Sequence, residues 1–260
     1  LGGEVEMSLS ACAALVERAD PDRFLATMAT PVEARRVLFP LYALNVEVSR
    51  APWVTQEAMI AEMRLQWWRD ALEEIANGAT PRKHEVVDAL AEVLTPQQAA
   101  LLDGFVAARR WDIYSDAFED PSHLDEYIDA TSGHLTWVVA QCLGAADESV
   151  VREYAYGVGV ANLLRAVPEL EARGRKPLVD GTPQGVRNLA QAGLDRIDSA
   201  RARKSDVSSE ARGALRAGWR ARSVLRAAAA VPERVIEGKL EGSEFARKAS
   251  LIWSSMSGRI

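Results

Sequence analysis

Apolar residues recur along most of this chain at three- and four-residue spacing, the period of a helix that buries one face. From 59 to 75 they fall at Met59, Met63, Trp67, Ala71 and Ile75, with Ile60, Trp68 and Leu72 widening the stripe. The pattern predicts a helix that follows Thr55, packs by that row and closes at Asn77-Gly78. Before it, Pro31 reads as a first-turn proline behind an N-capping Thr30, opening a helix with Val32, Arg35, Arg36, Phe39, Leu41, Tyr42 and Leu44. Pro40 should kink that helix, because its ring removes a backbone hydrogen bond, and Pro52 ends it. Further helices are predicted near 84–94, 96–114, 122–143 and 148–168. A loop over 169–186 follows, then helices near 187–204, 208–230 and 243–256. Two-residue alternation rich in Val, Ile and Thr is missing, and no hairpin signal joins two strands. The expectation is an all-α protein of about nine helices. No repeat or linker interrupts it, so residues 9–260 read as one helical domain, with residues 1–8 set aside as a tail.

Composition narrows the class. Of 260 residues, 48% are apolar and 26% charged, which excludes a disordered polymer or a collagen-like repeat. Two cysteines, Cys12 and Cys142, cannot staple a chain this long, so both read as small packed hydrophobes. A net charge of −6 argues against a dedicated nucleic-acid partner. No run approaches the ~18 apolar residues of a membrane span, and LGGEVEM lacks the basic and apolar segments of a signal peptide. The expected location is the cytoplasmic side, with room for weak contact at the inner face of a membrane. The stretch 211–230 carries arginines four apart at Arg212, Arg216 and Arg220. They read either as a solvated face or as a basic surface for anionic lipid.

Most chemical motifs are absent. His84, His123 and His134 are the only histidines, and none stands four from another His or Cys, so no zinc site is expected. No glycine-rich phosphate loop follows a strand. Gly157-Val158-Gly159 reads as a place where helices approach closely. Of Trp67 and Trp68, about 100° apart on a helix, Trp68 is expected in the core. Trp67 and Trp53 are candidates to line a cavity. Asp112 with Asp116, and Asp125 with Asp129, stand four apart and would share helix faces. Arg165 sits on an otherwise apolar helix and must be paired or face a polar cavity. The acids considered for it are Asp112 and Glu47, and an anion contact is the other reading.

Four segments, in order and spacing, resemble the squalene/phytoene synthase family of head-to-head prenyl transferases. They are LYAL (41–44), MRLQWWRDALEEI (63–75), WDIYSD with LDEYIDATSGHL (111–135), and GVGVANLLRAVPELEARGRKPLV (157–179). The resemblance implies an isoprenoid-synthase-like fold, a single domain of antiparallel helices around a central cavity. It also implies a prenyl diphosphate substrate, whose ionisation needs Mg²⁺ held by aspartates at two helix sites. This chain departs from that pattern at both. The first aspartate motif aligns with Ser49, Arg50 and Trp53. The second, after Asn162 and Arg165, aligns with Ala166 and Leu170. Glu169 and Glu171 lie nearby, but Pro168 is expected to break the helix and turn them off the face.

The strings LNVEV, MRLQWW and LLRAVP are most similar to a non-catalytic branch that includes a mitochondrial assembly factor for respiratory complex I. That branch implies no catalytic residues, no metal and no cofactor. It implies a protein partner, a complex I subunit or assembly intermediate. Tyr42, Asn45, Glu47, Arg64, Trp68, Asp112, Asn162 and Arg165 are then the candidates for cavity or anion contacts. Two rival readings remain. One is an active prenyl transferase making phytoene or squalene with Mg²⁺ on displaced carboxylates (Asp112, Asp116, Glu169 and Glu171). The other is a carrier holding a prenyl or lipid ligand.

Overall fold

A computed structural model describes residues 2–114 and 116–240, with side chains from residue 6 onward. The helix expected near 243–256 lies outside the described residues. The described residues form an all-helical fold. In order come α1 (Gly2–Ala19), α2 (Pro21–Met28), α3 (Val32–Arg50), α4 (Ala58–Ala76), α5 (Glu85–Ala91), α6 (Pro96–Ala108) and a 3₁₀ turn, Arg109–Ile113. Then follow α7 (Pro121–Ile128), a single π-helical turn (Asp129–Gly133), α8 (His134–Leu143), α9 (Glu148–Ala172) and α10 (Pro183–Ala202). A second 3₁₀ turn, Lys204–Asp206, leads to α11 (Arg212–Arg216), α12 (Ala221–Ala230) and α13 (Glu233–Ile236). The β-structure among the described residues is one isolated antiparallel bridge, Ala146–Val207. None of the described helices is long and apolar enough to cross a membrane. Helix α1 starts at Gly2, so residues 2–8 of the stretch set aside as a tail form its first two turns.

The described residues gather into two compact units. The first comprises 2–114, 137–145 and 209–217, the second 116–136, 146–208 and 218–240. In the first unit α1 lies against α3 and α5, and α4 against α6. Its core holds Cys12, Val16, Leu38, Leu41, Leu44, Leu65, Leu72, Leu90, Leu102 and Phe105, all essentially buried. Helix α3 runs unbroken through Pro40, and its N-cap is Pro31. The Thr30 hydroxyl donates back to the Thr27 carbonyl at 2.6 Å instead of capping. The row predicted to bury α4 is turned outward over its first half. Met59 is 75% and Met63 66% exposed, whereas Ala61, Leu65, Trp68, Leu72 and Ile75 are buried. Two apolar stripes wind round this helix, and the one that packs is centred on Leu65, not Met63. Periodicity finds a stripe without saying which one meets a partner.

In the second unit α9 is the hub, with α10, α12 and the π turn against it. Gly157 and Gly159 are there for close approach, as their spacing suggested. A Cβ on Gly157 would stand 2.4 Å from Ile197 and 2.7 Å from the Gly193 carbonyl of α10. One on Gly159 would stand 2.6 Å from Ile128 of α7. The Asp147 carboxylate caps α9 by accepting from the Val150 N–H at 3.2 Å. The helix does not break at Pro168 but continues to Ala172. It ends where Gly174 takes φ +77°, the left-handed conformation that glycine supplies at a helix end.

The basic row of 211–230 does not form. The chain turns between α11 and α12, so Arg212, Arg216 and Arg220 share no helix face. Arg220 is 7% exposed, and Arg216 donates to the Ala29 carbonyl at the end of α2. The three arginines therefore do not form the single helical row that their spacing suggested.

Candidate functional site

The last turns of α3 present two faces. Asn45 and Ser49, one turn apart, share the first, with the Ser49 hydroxyl 3.4 Å from Asn45 Oδ1. Glu47 lies about 200° round the helix from Asn45 at ~100° per residue. It faces, with Ala51, a cleft of about 190 Å³ walled by Arg64, Trp67, Trp68 and His84. The Glu47 carboxylate is neutralised by Arg50 at 2.6 Å. Trp53 is half-buried in the turn after α3.

The cleft wall is aromatic. The rings of Trp67, Trp68 and His84 meet edge to face, with centroids 4.9, 5.3 and 5.2 Å apart. Trp68 is buried, as expected, and Trp67 half-exposed. His84 Nδ1 accepts from the Val86 N–H at the start of α5, at 3.1 Å, which assigns the proton of the neutral ring to Nε2. The Arg82 guanidinium lies 5.2 Å from the Trp67 ring centre and forks onto Glu74. That hydrogen-bonded fork holds the Glu74 carboxyl below the usual carboxylate range. His84 and Arg82 escaped the sequence reading because the chain returns to α4 after a loop, and no spacing rule encodes a return.

The second set lies on α9. Asn162, Arg165 and Ala166 share a face and line a cavity of about 280 Å³ with Leu164, Val235 and Leu240. Arg165 is half-buried. In the first unit Glu47 pairs with Arg50 at 2.6 Å and Asp112 with Arg109 at 3.2 Å. Because α9 runs straight past Pro168, Glu169 stays on the face of Asn162 and Arg165, contrary to expectation. It pairs with Arg173 at 2.6 Å. Leu170 is half-buried and Glu171 exposed.

Tyr42 lines neither cavity. It is buried in α3 beneath Arg23, whose guanidinium lies 5.5 Å from the ring centre, and burial pushes its phenol upward. Asp112 and Asp116 share no helix face, because α6 ends at Ala108 and Asp116 lies in irregular chain. Asp125 accepts from the Tyr156 hydroxyl at 2.7 Å, under Arg196 stacked 3.7 Å above that ring. Burial pushes the Cys12 and Cys142 thiols up to about 12 and about 11, which disfavours the thiolate at neutral pH. Among the described residues no three His, Cys, Asp or Glu side chains gather closely enough to hold a metal ion.

The π turn carries a pH-dependent contact. Arg152 reaches Asp129 at 2.9 Å, Glu148 at 2.7 Å and His134 Nδ1 at 3.3 Å. Burial first, then the Arg152 charge, holds the His134 imidazole below its ordinary value of 6.5. The folded form therefore binds fewer protons than the unfolded chain below that value, and stability falls with pH. The melting temperature is expected to drop between about pH 7 and pH 5, and His134→Gln to flatten that drop. Asp147, Asp180 and Asp198 are also depressed, each by hydrogen bonds, but their contribution is lost only in the carboxylate range near ~4. A pH series of melts on both proteins checks this.

The fold and its sequence define the class. The sequence profile of the squalene/phytoene synthase family matches residues 16–241, and the chain belongs to that family. Among curated proteins it is similar to the NADH dehydrogenase (ubiquinone) complex I, assembly factor 6 homolog of Drosophila melanogaster, 31% identical over 178 residues. That match covers 65% of this chain and 53% of the fly protein. The human complex I assembly factor 6 is 25% identical over 164 residues, 60% of this chain and 48% of the human one. The chain thus spans about half the length of the curated relatives it matches. Among solved structures, a dehydrosqualene synthase in complex with ligand superposes with a TM-score of 0.81 at 16% identity, over 98% of both chains. The squalene synthase HpnC from Alicyclobacillus acidocaldarius gives 0.59 at 17% identity, over 99% of this chain and 97% of that one. These likenesses establish the all-α isoprenoid-synthase-like fold.

Proposed function

We propose that this chain is a non-catalytic member of its family, acting by binding as an assembly or accessory factor for respiratory complex I. It works without a metal or cofactor, on the cytoplasmic side at the inner face of the membrane. The observation that supports the reading is what stands at the positions where the resemblance would put the two aspartate motifs. On α3 they hold Ser49, Arg50 and Trp53, and the neighbouring carboxylate, Glu47, is spent on Arg50 at 2.6 Å. On α9 they hold Ala166 and Leu170, with Glu169 paired to Arg173. Mg²⁺ takes hard oxygen ligands in near-octahedral array, usually one or two carboxylates beside phosphate oxygens. A neutral amide and hydroxyl pair on one helix, and one arginine-bound glutamate on the other, do not fit that demand. Of the displaced carboxylates, Asp112 pairs with Arg109 at 3.2 Å and Glu169 with Arg173 at 2.6 Å. The names of the curated relatives supply the direction of the reading, and their identity of 24–31% supports it.

Calorimetry with farnesyl diphosphate, with and without Mg²⁺, tests the first half. No Mg²⁺-dependent heat is expected. Micromolar binding that requires Mg²⁺ would restore the enzyme reading.

A further inference from the structure

The outward row of α4 is an apolar surface with a direction. Met59 is 75% exposed, Met63 66%, Ile60 39% and Val54, just before the helix, 48%. Met59, Met63 and Trp67 follow one another at four-residue spacing, so the row climbs the helix and ends at the Trp67–Trp68–His84 cleft. Exposed apolar side chains gathered on one helix mark interaction surfaces, and flexible methionines suit a face that must mould to a partner. The cleft, at about 190 Å³, falls below the ~300–1,000 Å³ of small-molecule pockets and fits a single anchoring side chain.

Charge says more about the occupant. Arg64 borders the row, stands on the cleft wall, and is exposed without an ion-pair partner among the described residues. The arginines around it are all held: Arg50 by Glu47, Arg69 by Asp103, Arg82 by Glu74 and Arg110 by Glu62, at 2.6–2.8 Å. An unpaired guanidinium beside an apolar row calls for a carboxylate from outside. A membrane is disfavoured, because an anionic surface is held by several free cations, and the arginines near the row other than Arg64 are already paired.

We propose that the exposed face of α4, from Met59 to the Trp67–Trp68–His84 cleft, docks an amphipathic helix of another protein that sets a carboxylate among its apolar side chains to meet Arg64. The surface deepens the assembly reading and rests on it only for the partner's identity.

The test uses the full chain in its native cells, with the photoreactive residue p-benzoylphenylalanine at position 63 and, as a control, at position 191 on the exposed face of α10. A crosslink is expected at 63 and not at 191. It should map to a peptide of another protein with Asp or Glu among apolar residues. Arg64→Glu should lower its yield at least tenfold, while the purified Arg64→Glu chain melts like wild type. A crosslink from position 63 to lipid or to a second copy, no crosslink there, or a yield indifferent to Arg64→Glu would each overturn the proposal. The two readings fail separately. If complex I subunits co-purify while position 63 stays silent, this surface is wrong and the assembly reading stands. If position 63 captures an acidic apolar helix of a protein outside complex I, the surface stands and the assembly reading is wrong.

Discussion

Gly157→Val is expected to destabilise the second unit severely. The glycine sits where α9 crosses α10, and even a bare Cβ would stand 2.4 Å from Ile197 Cγ1 and 2.7 Å from the Gly193 carbonyl oxygen. The isoleucine can change rotamer, but the carbonyl belongs to the α10 backbone and yields only if the helix moves. Overpacking a close-packed site costs about 1–3 kcal/mol, and a branched side chain pressed on backbone belongs at the upper end or beyond. That is a large share of the ~5–15 kcal/mol that holds a folded chain together. Gly157→Ala should show a smaller loss of the same sign. Gly181→Ala serves as the control, because nothing stands within 4 Å of its Cβ position. Urea melts of the three variants should rank Gly157→Val far below Gly157→Ala, with Gly181→Ala close to wild type. A Gly157→Val protein that melts with the wild type would show that α9 and α10 do not meet as described.

The helical class and the crossing at Gly157 were both legible in the sequence, for the same reason. Each is a local property, a period in one case and a pair of missing side chains in the other. The starts of α6 and α9 were placed near Pro96 and Glu148, where side chains cap them, whereas the cap read at Thr30 did not form. Thr95 and Gln98 close a capping box on α6, and Asp147 caps α9. What failed depended on a choice the local sequence leaves open. Pro168 was expected to end α9, yet α9 carries it to Ala172. A proline costs a helix one hydrogen bond, and tertiary contacts can offset that. The two apolar stripes of α4 are equal to a periodicity count, but over the first half of the helix only the Leu65 stripe is buried. Arginines four apart at 212, 216 and 220 look like one face until the turn at 217–220 divides them. The boundary between the two units was also invisible. Each unit is assembled from three separated stretches of chain, so no linker marks the division.

The candidate site divided in the same way. Residue identities at 49, 50, 53, 166 and 170 can be read directly, and the argument about metal chemistry follows from them. The aromatic cleft cannot, because His84 and Arg82 reach Trp67 only after the chain doubles back. Nor can the neutralising pair of Glu47 and Arg50 be told from a surface pair without the geometry, since residues three apart on a helix sometimes meet and sometimes do not.

We propose that the chain serves respiratory complex I by binding and makes no prenyl product. Deleting its gene tests that most directly, with assembled complex I activity and the cell's squalene- and phytoene-derived lipids measured on the same membranes. Complex I activity should fall to a minor fraction of wild type, the lipids should be unchanged, and the wild-type gene should restore the activity. Loss of a squalene- or phytoene-derived product with complex I activity intact would contradict the account.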